Sequence, residues 1–251
     1  MKAAPENEFY VGYLDPAPPG LGRRMRALAV CSLVVAIGAA VAVGLGQRRL
    51  PEATFEFGTI VKLDGYLAVD PYPSLLVVEG AGVTRHLLVG YGKRGVAAEA
   101  LDLSDRWVSL EAMRIHRDGQ TMLQIEPGSV LEMPEQRPAP SPEAVEDLGV
   151  RYVEGEIVGS KCYLGVMNPG SGVAHRACAN HCIRGGVPPM LAVTHLAGET
   201  EGLLLVDEDG EPLGDTLLDL AAAPVGVTGR VVRVGATTFI HVDATNIRRL
   251  E

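Results

Sequence analysis

Hydrophobic and polar positions change rhythm three times along this chain. From Ala27 to Gly46 the run ALAVCSLVVAIGAAVAVGLG carries no charge. Beyond residue 50 the apolar runs shorten to three or four residues, as in Leu75–Val78, Leu87–Val89, Trp107–Leu110 and Met122–Ile125, with Gly, Pro and Asp between them. The stretch Met133–Pro142 (MPEQRPAPSP) interrupts this rhythm, and short apolar runs then resume to the end.

The first pattern predicts a transmembrane helix over 27–46, because about 20 apolar residues suffice to cross a bilayer. Arg23, Arg24 and Arg26 precede it and Arg48 and Arg49 follow. The bias of positive charge slightly favours an inside N-terminus, which places everything after Leu50 on the extracytoplasmic, periplasmic side. A cleaved signal peptide ending near Ala40-Val41-Ala42 is the alternative. The preceding region and the apolar run are both longer than a signal usually has, so an uncleaved anchor is expected. Cys31, inside the span, reads as a small apolar filler. The tail, residues 1–26, with Phe9, Tyr10 and Tyr13 ahead of Pro16, Pro18 and Pro19, reads as a peptide that lies along the membrane or touches a membrane partner.

Short apolar runs at this spacing predict strands of a small barrel or sandwich. The expected organisation is a first β domain over 54–133, a Pro-rich linker over 134–149 and a second β domain over 150–251. The two domains look alike. Gly58–Val61 matches Gly155–Val158, Pro73–Val78 matches Pro188–Val193, and Leu87–Val89 matches Leu204–Val206. Val108–Leu110 matches Val227–Gly229, and Met122–Ile125 matches Phe239–Val242. The offset grows between the first and second matches, which predicts an insertion of about 18 residues between the first two strands of the second copy, within 160–187.

A strand opening with Gly-x-Ile/Val and a closing hairpin with Thr-Gly-x-Val resemble tandem OB-fold domains on a bacterial single-pass membrane anchor. The resemblance implies a mainly β fold: an N-terminal transmembrane helix and two small OB-like β-barrels, the second with a Cys/His-rich insertion. It implies no particular function, since such barrels host many. A pair of small β-sandwiches is the alternative.

The net charge of -9 and a pI of about 5.2 argue against a nucleic-acid partner, which needs clustered Lys and Arg. The few aromatics also argue against stacking platforms for single strands.

The predicted insertion holds every cysteine outside the apolar span: Cys162, Cys178 and Cys182. His175 and His181 stand among them. On a helical turn His175, Cys178 and Cys182 share a face, and Cys162 supplies a fourth corner. Such a Cys3His set suits zinc or a soft copper ion. His181, with His175, one Cys and Met167 or Met190, makes a weaker electron-transfer copper set. Covalent haem lacks its Cys-x-x-Cys-His order, and an iron–sulfur centre ranks below zinc. A disulfide from Cys162 to Cys178 or Cys182 is the plain structural alternative, contributing about 3 kcal/mol by loop closure. A reactive thiol assisted by Arg176 is a third.

Other candidates read as structural. His86, His116 and His241 sit in or beside strands, while His195 is promoted because it follows the insert. Asp207-Glu208-Asp209-Gly210 lacks the later Glu of a calcium loop. Gly90-Tyr91-Gly92-Lys93-Arg94-Gly95 lacks the Ser or Thr of a phosphate loop and reads as a β-turn. Together these features predict an accessory or assembly subunit of a membrane-associated redox complex, with the membrane and a protein as partners. An exported thiol- or metal-dependent enzyme, or a structural tandem barrel, is the alternative.

Overall fold

The computed structural model describes residues 19–47, 53–80, 82–117, 119–134, 137–193 and 202–250. The tail up to residue 18 and His195 lie outside them. The chain divides into two units, Met1–Leu50 and Pro51–Glu251.

In the first unit a single helix, α1, spans Pro19–Gln47. At 1.5 Å per residue it is about 43 Å long, more than the roughly 30 Å of a bilayer core. Its segment Gly20–Leu45 is long and apolar enough to cross a membrane. Helix formation begins eight residues ahead of the apolar run, because Arg23, Arg24, Met25 and Arg26 are good helix formers and Pro19 is tolerated in a first turn.

The second unit holds two closed five-stranded barrels of one topology. The first is built from β2 (Val61–Ala68), β3 (Ser74–Glu79), β4 (Gly82–Val89), β5 (Trp107–Arg117) and β6 (Gln120–Ile125). These pair in the order β5-β2-β3-β4-β6, and β6 closes on β5. All pairings are antiparallel except β4 with β6. Short strands β1 (Ala53–Phe55) and β7 (Leu131–Glu132) extend β5, and α2 (Ala98–Leu101) lies between β4 and β5. The second barrel repeats this with β8 (Val145–Gly159), β9 (Pro189–Val193), β10 (Gly202–Val206), β11 (Pro224–Val234) and β12 (Thr237–His241), β10 and β12 being its parallel pair. Strand β13 (Ile247–Arg249) pairs with β11. A five-stranded Greek-key barrel with this one parallel closure is the OB arrangement.

The internal repeat is real, with two changes of register: the closing hairpins make Ile115 the counterpart of Val232, so Val108 corresponds to Val225 instead of Val227, and the first strand shifts further. Leu87 faces Met122 across the parallel pair, and Leu204 faces Phe239 at the same point of the second barrel, as the sequence match requires. The first-strand match is displaced. Ala68 pairs with Ser74 and Gly159 with Pro189, so Gly159 is the counterpart of Ala68, six residues from the expected alignment. The connection after the first strand is 69–73 in one barrel and 160–188 in the other, which makes the insertion longer than expected. Strand β8 also begins inside the expected linker, because Val145–Asp147 pair with β11 at Val234–Val232.

The two barrels share a core. β9 and β10 are buried along their whole length. Alternate residues point to opposite faces of a strand. Leu191, Val193, Leu203 and Leu205 fill the second barrel, while Met190, Ala192, Leu204 and Val206 pack with Leu87, Val89, Ile115 and Met122 of the first. Two buried faces explain why these strands read as continuous rather than alternating apolar runs. Cys162, Cys178 and Cys182 belong to this seam core.

Candidate metal centre

The insertion leaves β8 through a tight turn, Cys162–Val166, and returns through a short 3-10 turn, Val173–His175, into α3 (Arg176–Arg184). On α3, Cys178, Ala179, Cys182 and Ile183 are buried. Residues four apart lie one above the other on a helix, so Cys178 and Cys182 form one stripe, and Cys162 meets it from the turn opposite.

The three sulfurs lie within 4.8 Å of one another and form a group that can hold a metal ion. Cys162 Sγ is 3.4 Å from Cys178 Sγ and 3.7 Å from Cys182 Sγ. All three thiols are free. With a zinc–sulfur bond of about 2.3 Å, the sulfurs of a tetrahedral site stand about 3.8 Å apart. The chain therefore holds the sulfurs close to a ligating arrangement, with exposures of 4, 6 and 0% for Cys162, Cys178 and Cys182.

Of the two histidines in the insertion, only His175 reaches the centre. It is buried, and its ring is near enough to Cys162 to favour the thiolate there. Neither ring nitrogen has a hydrogen-bond partner. Such a buried imidazole leaves polar atoms for an ordered water or an ion to satisfy. It stands outside the group whose ligand atoms all lie within 4.8 Å. His181 is exposed on the outer face of α3 and does not join the sulfurs. Arg176, expected beside a reactive thiol, instead donates to the Asp219 carbonyl at 3.1 Å.

Two cations that the sequence does not advertise stand at the centre. Lys93, from the turn between β4 and α2, bonds Cys178, and that bond raises its pKa. Lys161, next to Cys162, is 1% exposed, and its Nζ donates to the Gly90 and Gly92 carbonyls at 2.7 and 2.8 Å. Burial pushes Lys161 down to about 8, against the pull of Cys182 and Cys162. Among the thiols, the contact between Cys162 and Cys182 lowers Cys182 and, together with burial, pushes Cys162 up to about 12. Burial raises Cys178. The turn is pressed against the end of α3: Gly95 N donates to Gly185 O at 2.6 Å, and a Cβ on Gly185 would lie 1.9 Å from the Lys93 carbonyl. Only glycine permits that approach. Arg117 of β5 also stacks 4.2 Å over the Tyr163 ring. The first barrel thus forms one wall of the centre.

Chemically, this is a buried, soft-donor pocket with cationic support. Thiolate ligands must lose their protons to bind a metal, and the lysines favour the ionised form. Comparison with known protein families, with characterised proteins and with solved structures finds no match.

Proposed function

We propose that the chain is a membrane-anchored, extracytoplasmic accessory or assembly subunit of a membrane-associated redox complex, whose three-cysteine centre binds a soft metal ion, zinc or copper. The observation that carries this reading is the convergence of three free thiols and the unpartnered His175 at the seam of two barrels. The spacing of the sulfurs suits a metal, and a helix able to span a membrane supports the anchored location. A catalytic metal keeps a position open to water. The near-complete burial of these sulfurs favours a closed binding centre over a thiol- or metal-dependent enzyme.

Two measurements test the proposal on the full chain, purified in mild detergent without chelator. Elemental analysis should give about one metal per chain, lost in Cys178→Ser. A native gel stained for haem or scanned for flavin should show the chain migrating with a redox complex. A metal-free wild type removes the metal part, and migration alone removes the subunit part.

A further inference from the structure

Strand β1 does not run straight on into β2. Phe55 pairs with Ile115 and Val61 with Ala112, so the five residues 56–60 stand against only Met113 and Arg114 of β5. The excess has to loop out of the sheet. At the same point of the second barrel Asp147 pairs with Val232 and Gly149 with Val231, so only Leu148 is extra. The longer loop-out is a fixed turn. Thr59 N donates to the Glu56 carbonyl at 3.0 Å, Phe57 N to the Phe55 carbonyl at 2.7 Å, and Gly58 N to Met113 Sδ at 3.1 Å. Gly58 supplies the positive φ, 83°, that the turn needs.

What this turn presents is apolar. Phe57 is 74% exposed and Ile60 53%, with only Gly58 and Thr59 between them. Glu56, beside the tip, is turned to His116 at 3.3 Å. Apolar side chains that an ordered turn holds out of the fold mark an interaction site. Chain length names the surface that covers them. Six residues lead from Gln47, the end of α1, to Ala53, the start of β1. An extended chain covers at most about 3.6 Å per residue, so the covalent tether keeps β1 within about 22 Å of the end of the apolar helix. The tip, Phe-Gly-Thr-Ile, carries no charge and asks for no ion pair, and aromatic and aliphatic side chains are what interfacial segments bury at the headgroup–acyl boundary. Resting on the membrane-anchored reading above, we propose that the turn 56–60 is a membrane-contact tip, with Phe57 and Ile60 entering the lipid interface of the bilayer that holds the anchor. The contact keeps the first barrel, one wall of the metal centre, at the membrane surface.

The test uses the full chain, reconstituted into phosphatidylcholine vesicles whose acyl chains carry bromine, a fluorescence quencher, either near the headgroup or near the tail end. Both leaflets carry the bromine, so sidedness does not matter. Trp107, the one tryptophan, lies five residues along β5 from Ala112, about 17 Å from the level of the tip. It serves as the distant reference. Wild type is compared with Phe57→Trp and Ile60→Trp, each in a Trp107→Phe background and matched by melting curve. Emission from both introduced indoles should shift to the blue on reconstitution and lose most intensity with bromine near the headgroup, while Trp107 in wild type keeps its intensity. No quenching at either position, or equal quenching of Trp107, overturns the tip. Flotation with the vesicles after an alkaline wash reads the anchor separately. A chain that stays with the vesicles but shows no quenching loses the tip alone, and a chain that alkali strips away loses the anchor and the tip together.

Discussion

Lys161 and Gly92 are joined across the barrel seam: the buried ammonium of the one donates to the carbonyl of the other at 2.8 Å, one residue before the first cysteine of the centre. A second bond, to Gly90 at 2.7 Å, makes Lys161 a clasp between the insertion and the turn that carries Lys93. Lys161→Met should lower stability by about 2 kcal/mol, less than two charge-assisted bonds contribute alone, because the buried ammonium carries a desolvation cost. Lys93→Met, at an exposed side chain, should change it by no more than about 0.5 kcal/mol. Urea unfolding of both variants checks this, and equal midpoints would remove the clasp.

The same junction is closed by backbone alone. A Cβ on Gly185 would meet the Lys93 carbonyl at 1.9 Å, whereas one on Gly82 would find only the Glu79 carbonyl at 3.8 Å. Gly185→Ala should therefore cost about 1–3 kcal/mol, the usual range for overpacking. It should also expose Cys178 to thiol reagents as the turn backs away. Gly82→Ala, in ordinary contact, is the control. Unchanged labelling of the Gly185 variant would show that the turn does not seal the centre.

These two relationships mark where the sequence stops being legible. Periodicity shows the strands, because β3, β4, β6, β10 and β12 carry their own apolar runs, and the clustered cysteines announce the site. The face shared by His175, Cys178 and Cys182 follows from helical spacing, and α3 delivers it. Lys93 and Lys161 carry no such signal. They matter because one barrel rests on the other, and pairing across a seam leaves no periodic trace in either segment. Glycine offers a hint after the fact: Gly95 lies against Gly186 and Gly185 against the Lys93 carbonyl, Cβ-poor positions that allow backbone to touch backbone. The first-strand match slipped by six residues because Gly-x-Ile/Val recurs easily, and only cross-strand register distinguishes one occurrence from another.

His86 gives the fold a pH dependence of known sign. Burial is the main cause that holds its pKa below the usual imidazole value; nearby Arg114 adds to this and Glu79 opposes it. Its Nδ1 is buried without a partner. The folded state thus prefers the neutral ring. Its contribution is fully present above the unfolded value, about 6.5, and is lost as pH falls through the lower folded value. Wild type should lose stability relative to His86→Gln as pH falls below about 6.5. Thermal midpoints taken from neutral to acidic pH read this directly, and parallel curves would refute it.

The shared core predicts that the barrels unfold together. Leu204 belongs to the second barrel, yet it packs in one cluster with Leu87, Val89 and Met122 of the first. Leu205, its neighbour, points into the second barrel's own interior. Truncating either to Ala should cost about 2–5 kcal/mol. The informative readout is where the loss appears. The single tryptophan, Trp107, reports on the first barrel, and labelling of Cys178 and Cys182 reports on the second. Coincident transitions of different probes are the mark of one cooperative unit. In Leu204→Ala both transitions should move together, since the cavity opens on the seam between the barrels. If the thiols become exposed early while Trp107 fluorescence holds its wild-type midpoint, the barrels are independent and the centre sits on a hinge instead of in a core.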